Sequence, residues 1–204
     1  DAFASLRRRS WKPPEGFVLP KGEKYRDASI ELARAYRIAA DYDKATETYR
    51  QVLEDYPEVD QDGKLSLEYG DTLARSFNWA AARDVYHRVA KRFAGKPVGL
   101  TAMERLAACS AEEARALGRE DRKFAGLMDD AIEIHQWLQK IDPGDPEHLG
   151  QACLLLREAG RIRESNRLLE RFFERIEEKG IQGIDLDPYY YAYAMNAMDL
   201  GEAG

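Results

Sequence analysis

Three histidines are the side chains in this sequence best suited to bind a metal ion, yet their spacing does not group them. His87 and His135 are far apart, and thirteen residues separate His135 from His148. The sequence contains neither a His-Glu-x-x-His pattern nor a Cys-x-x-Cys pair, which are common in zinc sites. It therefore predicts no metal site, with His135 packed in a helix and His87 and His148 at the surface.

Two cysteines are the candidate nucleophiles. Cys109 and Cys153 lie in stretches with helical patterning, where a buried thiol acts as a small apolar group. A reactive cysteine needs a nearby base and an electropositive pocket, and the surrounding sequence indicates neither. We interpret both cysteines as packing residues, and we predict no catalytic residue in the chain.

Acidic clusters could bind calcium or perform acid–base catalysis, but they lie at predicted helix ends and turns. They occupy residues 54–55, 58–62 and 129–130. The segment from Asp60 to Gly63 lacks the further oxygen ligands and the closing glutamate of a calcium loop. Solvated helix capping is our interpretation. Because the sequence also lacks a glycine-rich phosphate loop, we predict no cofactor.

The charge balance argues against nucleic acid as a partner. The 31 Lys and Arg residues are outnumbered by 37 Asp and Glu residues, so the chain as a whole repels a phosphate backbone. The run Arg7, Arg8 and Arg9 beside Trp11 is interpreted as a solvated tail, the alternatives being contacts with phosphate, acidic protein or lipid. No apolar run approaches the ~18 residues of a membrane-spanning helix, so direct membrane insertion is not expected.

The elements that must position these side chains form an internal repeat. Twelve residues separate Ala33 from Ala45, and also Gly70 from Ala82. Steps of four and three then lead to an aromatic and a branched residue on the same helical face. The same spacing recurs at Cys153, Ser165, Leu169 and Phe172. Each unit is therefore predicted to be two helices that cross at small residues, because bulky ones would hold them apart.

A stretch between these regular copies departs from the spacing. Ala107 and Ala131 are separated by twice the usual distance, which indicates an insertion in a longer hairpin. Its first helix is expected over residues 100–118, and its second helix reaches Lys140. His135 lies where the first two copies have Tyr49 and Tyr86. A further first helix, without a partner, is expected over residues 189–200.

The stretch LARAYRIAADYDKATETYRQVLEDYP, residues 32–57, resembles the tetratricopeptide repeat family, and residues 69–94 are similar. Leu32, Tyr36 and Pro57 stand at signature positions of that family beside the small and aromatic residues above. The resemblance implies an all-α solenoid of antiparallel helical hairpins, with about four repeats and a terminal half repeat in a superhelical stack. It covers residues 25–204, and residues 1–24, with several prolines, are expected to form an extended arm or linker.

First helices line the concave ligand groove in this family, and the resemblance implies which residues of this chain face it. They are Asp27, Ile30, Arg34, Arg37 and Ile38 in the first repeat, and Lys64, Leu67, Asp71 and Arg75 in the second. Members that clamp the carboxyl terminus of a heat-shock chaperone have lysine and asparagine at two of these positions. This chain has Ile30 with Arg34 and Leu67 with Asp71 there, so a chaperone clamp is not expected.

The resemblance implies a non-catalytic scaffold that binds a partner protein or peptide, with self-association through the terminal repeats as a further expectation. The arginine-rich basic content indicates a bacterial protein. Residues 73–89 are similar to the repeats of bacterial exopolysaccharide export proteins. That context predicts a piece of a longer protein in the periplasm rather than the cytoplasm. The alternative is a peptide-sensing regulatory domain of a larger regulator.

This packing hypothesis predicts two different mutational outcomes. A large residue in place of Ala45 or Ala82 should wedge a hairpin apart and lower stability by roughly 1 to 3 kcal/mol through overpacking. Arg34→Ala or Arg75→Ala should leave folding nearly unchanged and weaken a ligand in the groove. Thermal melts followed by circular dichroism check this, and equal losses in both sets would contradict the assignment of inside and outside.

Overall fold

The computed structural model describes residue 22 and residues 25–201, and the regular secondary structure of this part of the chain is helical throughout. The helices are α1 (Arg26–Ile38), α2 (Tyr42–Asp55), α3 (Lys64–Arg75), α4 (Trp79–Arg92), α5 (Pro97–Leu117), α6 (Phe124–Ile141), α7 (Glu147–Glu158), α8 (Ile162–Lys179) and α9 (Asp187–Leu200), with a 3₁₀ helix at Pro57–Asp60. The predicted all-α class is confirmed. Apart from Gly22, the arm predicted over residues 1–24 lies outside the described residues.

The described part of the chain divides into two compact units, with the boundary between residues 102 and 103, inside α5. In the first unit α1 packs against α2, α2 against α3, and α3 against α4. In the second unit α6, α7 and α8 pack in sequence, and α9 contacts both α7 and α8. Because the connecting turns are short, consecutive helices reverse direction and form antiparallel hairpins.

The helices of the first two hairpins cross at small residues, as their spacing predicts. The side chains of Ala33, Ala45 and Ala82 have 0% exposure. Gly70 shows how close the crossing is, because a Cβ atom built on it lies 2.5 Å from Cε1 of Tyr86. The tyrosine ring therefore fills the space that a side chain at position 70 would need.

The first helix of each regular hairpin ends in the same turn. Each turn is closed by a backbone hydrogen bond that spans five residues, from Asp41 N to Tyr36 O at 3.0 Å, from Asn78 N to Leu73 O at 3.0 Å and from Arg161 N to Leu156 O at 2.9 Å. The residue before each donor is left-handed, with φ of 57° at Ala40, 61° at Phe77 and 79° at Gly160. These turns are Schellman motifs, and the hairpin geometry holds two non-glycine residues in the conformation that glycine prefers.

The third hairpin takes up the predicted insertion in longer helices. α5 has 21 residues and α6 has 18, whereas α3 and α4 have 12 and 14. Ala107, Ala111 and Ala114 lie at helical spacing on α5 and form a buried cluster with Phe124 and Met128 of α6. α5 begins at Pro97 rather than at residue 100, since proline suits the first position of a helix.

The prediction of a solvated acidic cap before α3 is wrong for Asp60. This residue is buried, with 3% exposure. Its carboxylate accepts hydrogen bonds from the backbone amide of Ser66 at 3.0 Å and from the Ser66 hydroxyl at 2.6 Å, and Arg92 lies 3.5 Å away. The first turn of α3 has backbone amides without helical partners, and one of them is satisfied by this carboxylate, which draws Asp60 inward.

Helix propensity alone predicts that a glycine-to-alanine change within a helix stabilises the protein. At Gly70 we expect the opposite, because the helices cross closely there. Gly70→Ala should lower the free energy of unfolding by roughly 1 to 3 kcal/mol, because Cβ collides with Tyr86. Gly126 in α6 is the matched control, since its added Cβ meets no atom within 4 Å. There alanine should stabilise the protein by up to ~1 kcal/mol. Urea unfolding followed by circular dichroism measures both, and a stabilised Gly70→Ala protein would refute the close crossing.

Candidate functional site

One ion-pair cluster joins the helices that carry the predicted groove residues. Arg34 on α1 donates from Nε and Nη2 to the two carboxylate oxygens of Glu68 on α3, both at 2.8 Å, and from Nη1 to Glu31 at 2.8 Å. The hydroxyl of Tyr49 on α2 donates to Glu68 at 3.0 Å. A bidentate arginine–carboxylate pair fixes both distance and angle. We call these four residues the Glu68 cluster, and it holds α1, α2 and α3 in register.

Burial and charge act in opposite directions on the pKa of Glu68. Burial raises the pKa of this carboxyl group, but the hydrogen bonds and charge of Arg34, with the bond from Tyr49, lower it below its ordinary value. Burial also raises the pKa of Tyr49, and the charge of Glu68 adds to that shift. At neutral pH the carboxylate is ionised and the phenol is protonated, as the hydrogen bonds between them require.

Four of the predicted groove residues also serve the fold. Leu67 is buried, with 7% exposure. Ile30 packs against the buried cluster that contains Ala33 and Tyr49. Asp71 accepts a hydrogen bond from the Tyr86 hydroxyl at 2.8 Å, and Arg34 belongs to the Glu68 cluster. Arg34→Ala is therefore expected to lower stability, which differs from the expectation based on the sequence.

The other five predicted groove residues reach solvent, and we refer to them together as the first-helix face: Asp27, Arg37, Ile38, Lys64 and Arg75. The Asp27 carboxylate lies 3.0 Å from Arg26, and Lys64 lies 2.8 Å from Asp62. Ile38 is 68% exposed. Among the described residues, neither Arg37 nor Arg75 takes part in an ion pair. Arg75 and Ile38 are exposed, and Arg37 is partly exposed.

Two histidines that the sequence analysis did not group lie close together in the structure. Nδ1 of His135 on α6 lies 3.4 Å from Nδ1 of His148 on α7, and Nε2 of His148 lies 3.6 Å from Glu104. Burial lowers the pKa of His135 to about 4, and the neighbouring His148 adds to the shift. The prediction that His148 lies at the surface is wrong, because its side chain is only 14% exposed. No local pattern could show this pairing, since the α6–α7 turn creates it.

The two cysteines are buried, and they do not form a disulfide with each other. Cys153 lies at the crossing of α7 and α8, where the Ser165 hydroxyl donates to its carbonyl oxygen at 2.8 Å. Burial raises the pKa of the Cys153 thiol to about 12, so it stays protonated at neutral pH. The predicted packing role of Cys153, which is 0% exposed, is confirmed.

Comparison with solved structures found helical proteins that share this architecture. The chain is similar to PilW, a widely conserved type IV pilus biogenesis factor, with a TM-score of 0.58, 20% identity, and coverage of 88% of this chain and 72% of that one. It is also similar to TTC0263, a thermophilic TPR protein in Thermus thermophilus, with a TM-score of 0.53, 16% identity, and coverage of 86% and 83%.

These likenesses define the class of protein by its fold. The chain is an all-α protein of tetratricopeptide-repeat-like architecture, as the repeat spacing predicts. Comparisons with protein-family models and with curated protein sequences found no match. Within residues 25–201, every helix is too short or too polar to span a bilayer.

The Glu68 cluster predicts a stability difference that depends on pH. Glu68→Gln should lower the free energy of unfolding by about 1 kcal/mol at neutral pH, because it removes a partly buried charged partner of Arg34. The pKa of Glu68 is lowered from 4.5 in the folded protein. The contribution of Glu68 to stability is therefore present above its unfolded pKa and lost as the pH falls through its folded pKa. In acid, the unchanged protein and Glu68→Gln should have similar free energies of unfolding.

Urea unfolding at a series of pH values measures this difference. Glu47→Gln is the matched control, because Glu47 pairs with Arg50 on the exposed side of α2 and has 62% side-chain exposure. That variant should change stability little, since exposed ion pairs contribute little. A Glu68→Gln effect that persisted unchanged below the folded pKa would show that charge is not its source.

Proposed function

We propose that this chain is a non-catalytic protein–protein interaction scaffold whose first-helix face binds an acidic segment of a partner protein. The fold supports the scaffold role, since stacked helical hairpins leave one helix of each pair with an open side. The proposal assigns no reaction to the chain and therefore no catalytic residue.

The observation that carries the proposal is that two arginine side chains of the first-helix face form no ion pair. Arg75 is exposed on α3 and Arg37 is partly exposed on α1, and in the described part of the chain neither forms an ion pair, although the charge of Arg37 helps to lower the pKa of Glu68. Arginine binds carboxylates through two parallel hydrogen bonds, so an acidic peptide complements both groups. Ile38, 68% exposed next to Arg37, offers an apolar contact to the same segment.

The Glu68 cluster supports the same proposal by fixing the distance between the two first helices. Because Arg34 binds both oxygens of Glu68, α1 and α3 present their exposed residues at a constant spacing before a partner arrives. A preformed face costs less ordering on binding than a mobile one. The charge of Arg34 is already matched by Glu31 and Glu68, so Arg34 acts by positioning the helices.

The bacterial exopolysaccharide export context and the periplasmic location remain predictions from the sequence. The compared structures carry no description of that kind. No feature of the described residues favours the alternative of a peptide-sensing regulatory domain. We therefore keep the proposal to the chemistry of the first-helix face and to a protein partner.

A peptide selection tests this proposal directly and requires no purified partner protein. A random peptide library displayed on phage is selected on the whole chain, and enriched peptides are synthesised for fluorescence-anisotropy measurements. We expect peptides that carry Asp or Glu beside an apolar residue. The Arg37→Glu/Arg75→Glu double variant should bind them at least tenfold more weakly, which corresponds to about 1.4 kcal/mol.

The matched control is Arg88→Glu/Lys91→Glu, which reverses two exposed charges on the second helix α4. This control variant has the same net charge as the test variant, so the comparison separates the loss of specific contacts from the general effect of net charge on binding. Equal affinity of the peptides for both double variants would refute the first-helix face as the binding surface, as would selection of peptides without acidic residues.

A further inference from the structure

His135 and His148 have a geometry that their hydrogen-bonding capacity explains poorly. Their Nδ1 atoms face each other at 3.4 Å, and the ring centroids are 5.6 Å apart. Hydrogen bonds donated by N–H groups are usually about 2.7 to 3.2 Å long between heavy atoms. A hydrogen bond between these two nitrogens is therefore long and weak.

The same distance is the one that a shared metal ion requires. A tetrahedral zinc ion with Zn–N bonds of about 2.0 to 2.1 Å separates two nitrogen ligands by roughly 3.3 to 3.4 Å. The imidazole nitrogens of His135 and His148 already have this separation, 3.4 Å. The distance between the two nitrogens therefore needs little change on binding.

Glu104 supplies the support that such a histidine needs. Its carboxylate lies 3.6 Å from Nε2 of His148, on the side of the ring opposite to Nδ1. Histidines that bind metals commonly donate their other ring N–H to a carboxylate, which fixes the tautomer and leaves the ligating nitrogen unprotonated. At 3.6 Å this contact is longer than a hydrogen bond, so a small rotation of the Glu104 side chain is needed before it accepts the Nε2–H of His148 and leaves the Nδ1 lone pair facing His135.

The surroundings also suit a cation. The two histidines and Glu104 line a cleft of about 310 Å³, together with the acidic residues Glu112, Asp145 and Glu147. One positive group, Arg115, lines the cleft as well, and it is paired with Glu112 and Glu158.

The geometry points to a site for a divalent transition-metal ion such as Zn²⁺, bound by Nδ1 of His135 and Nδ1 of His148, with Glu104 as the positioning residue. Among the described residues, no group of three or more His, Cys, Asp or Glu side chains is arranged to hold a metal ion. The site therefore has two protein ligands, and water completes the coordination. Its affinity is lower than that of a closed structural zinc site, which has four protein ligands.

The test is a zinc titration of the whole chain, expressed without a histidine tag and treated with a chelator. Isothermal titration calorimetry should give one Zn²⁺ ion per chain. His135→Phe and His148→Gln should each weaken binding at least about tenfold, and Glu104→Gln should weaken it by roughly 10-fold while keeping the stoichiometry. Phe suits position 135, because the equivalent positions hold Tyr49 and Tyr86.

His87→Gln is the matched control, because His87 is exposed on α4 in the first unit. It should bind Zn²⁺ as the unchanged chain does. Electron paramagnetic resonance of Cu²⁺ bound at the site adds a direct count of ligands. It should show two nitrogen couplings in the unchanged chain and one in each single-histidine variant.

A further experiment needs no variant and therefore remains valid if a variant protein fails to fold. It measures by mass spectrometry how far Zn²⁺ protects each histidine from modification by diethyl pyrocarbonate. Zn²⁺ should protect His135 and His148, but not His87. The inference is overturned by the absence of zinc binding in the unchanged chain. Undiminished binding in His135→Phe/His148→Gln, or equal protection of all three histidines, would overturn it as well. These outcomes leave the peptide-binding proposal untouched, because the two sites share no residue.

Discussion

The close approach of two helices over a residue with little or no side chain is the constraint on which the rest of the structure depends. At Gly70 the ring of Tyr86 takes the place of a side chain, with Cε1 2.5 Å from the position of a Cβ atom. In the second unit Tyr189 of α9 lies against Gly150 of α7 in the same way, with Cε1 2.7 Å from that position. An aromatic ring thus fills the gap left by the missing side chain, and packing density is kept where the backbones are closest.

Once the backbones are this close, long polar side chains can reach from one first helix to the next. Arg34 on α1 binds both oxygens of Glu68 on α3. In the second unit Arg157 on α7 donates to Asn196 and, at 2.9 Å, to Asp199, both on α9. These pairs decide which residues of the first helices remain available. Arg34 is occupied by its carboxylates, whereas Arg37 and Arg75 form no ion pair with another described residue.

The sequence-based predictions succeeded where one local pattern determines a role. Ala33, Ala45 and Ala82 are buried at the crossings because a spacing of twelve residues carries a chain through one helix, a tight turn and back to the crossing. The predictions failed for Asp60 and His148. Both were placed in solvent because they are polar and lie near helix ends, but Asp60 caps α3 and His148 faces His135. Polarity gives the usual environment of a side chain and does not identify its partner.

The amino-acid sequence by itself determined the helices, their pairing into hairpins and the small residues at the crossings. These features follow from spacings of three, four and twelve residues, which depend only on helix geometry and turn length. The tertiary structure alone decided the Glu68 cluster, the burial of Leu67 and the meeting of His135 with His148. The physical reason is that each of these features depends on the distance between different helices. That distance is set by the packing of all the side chains between them, and no pattern within one helix records it.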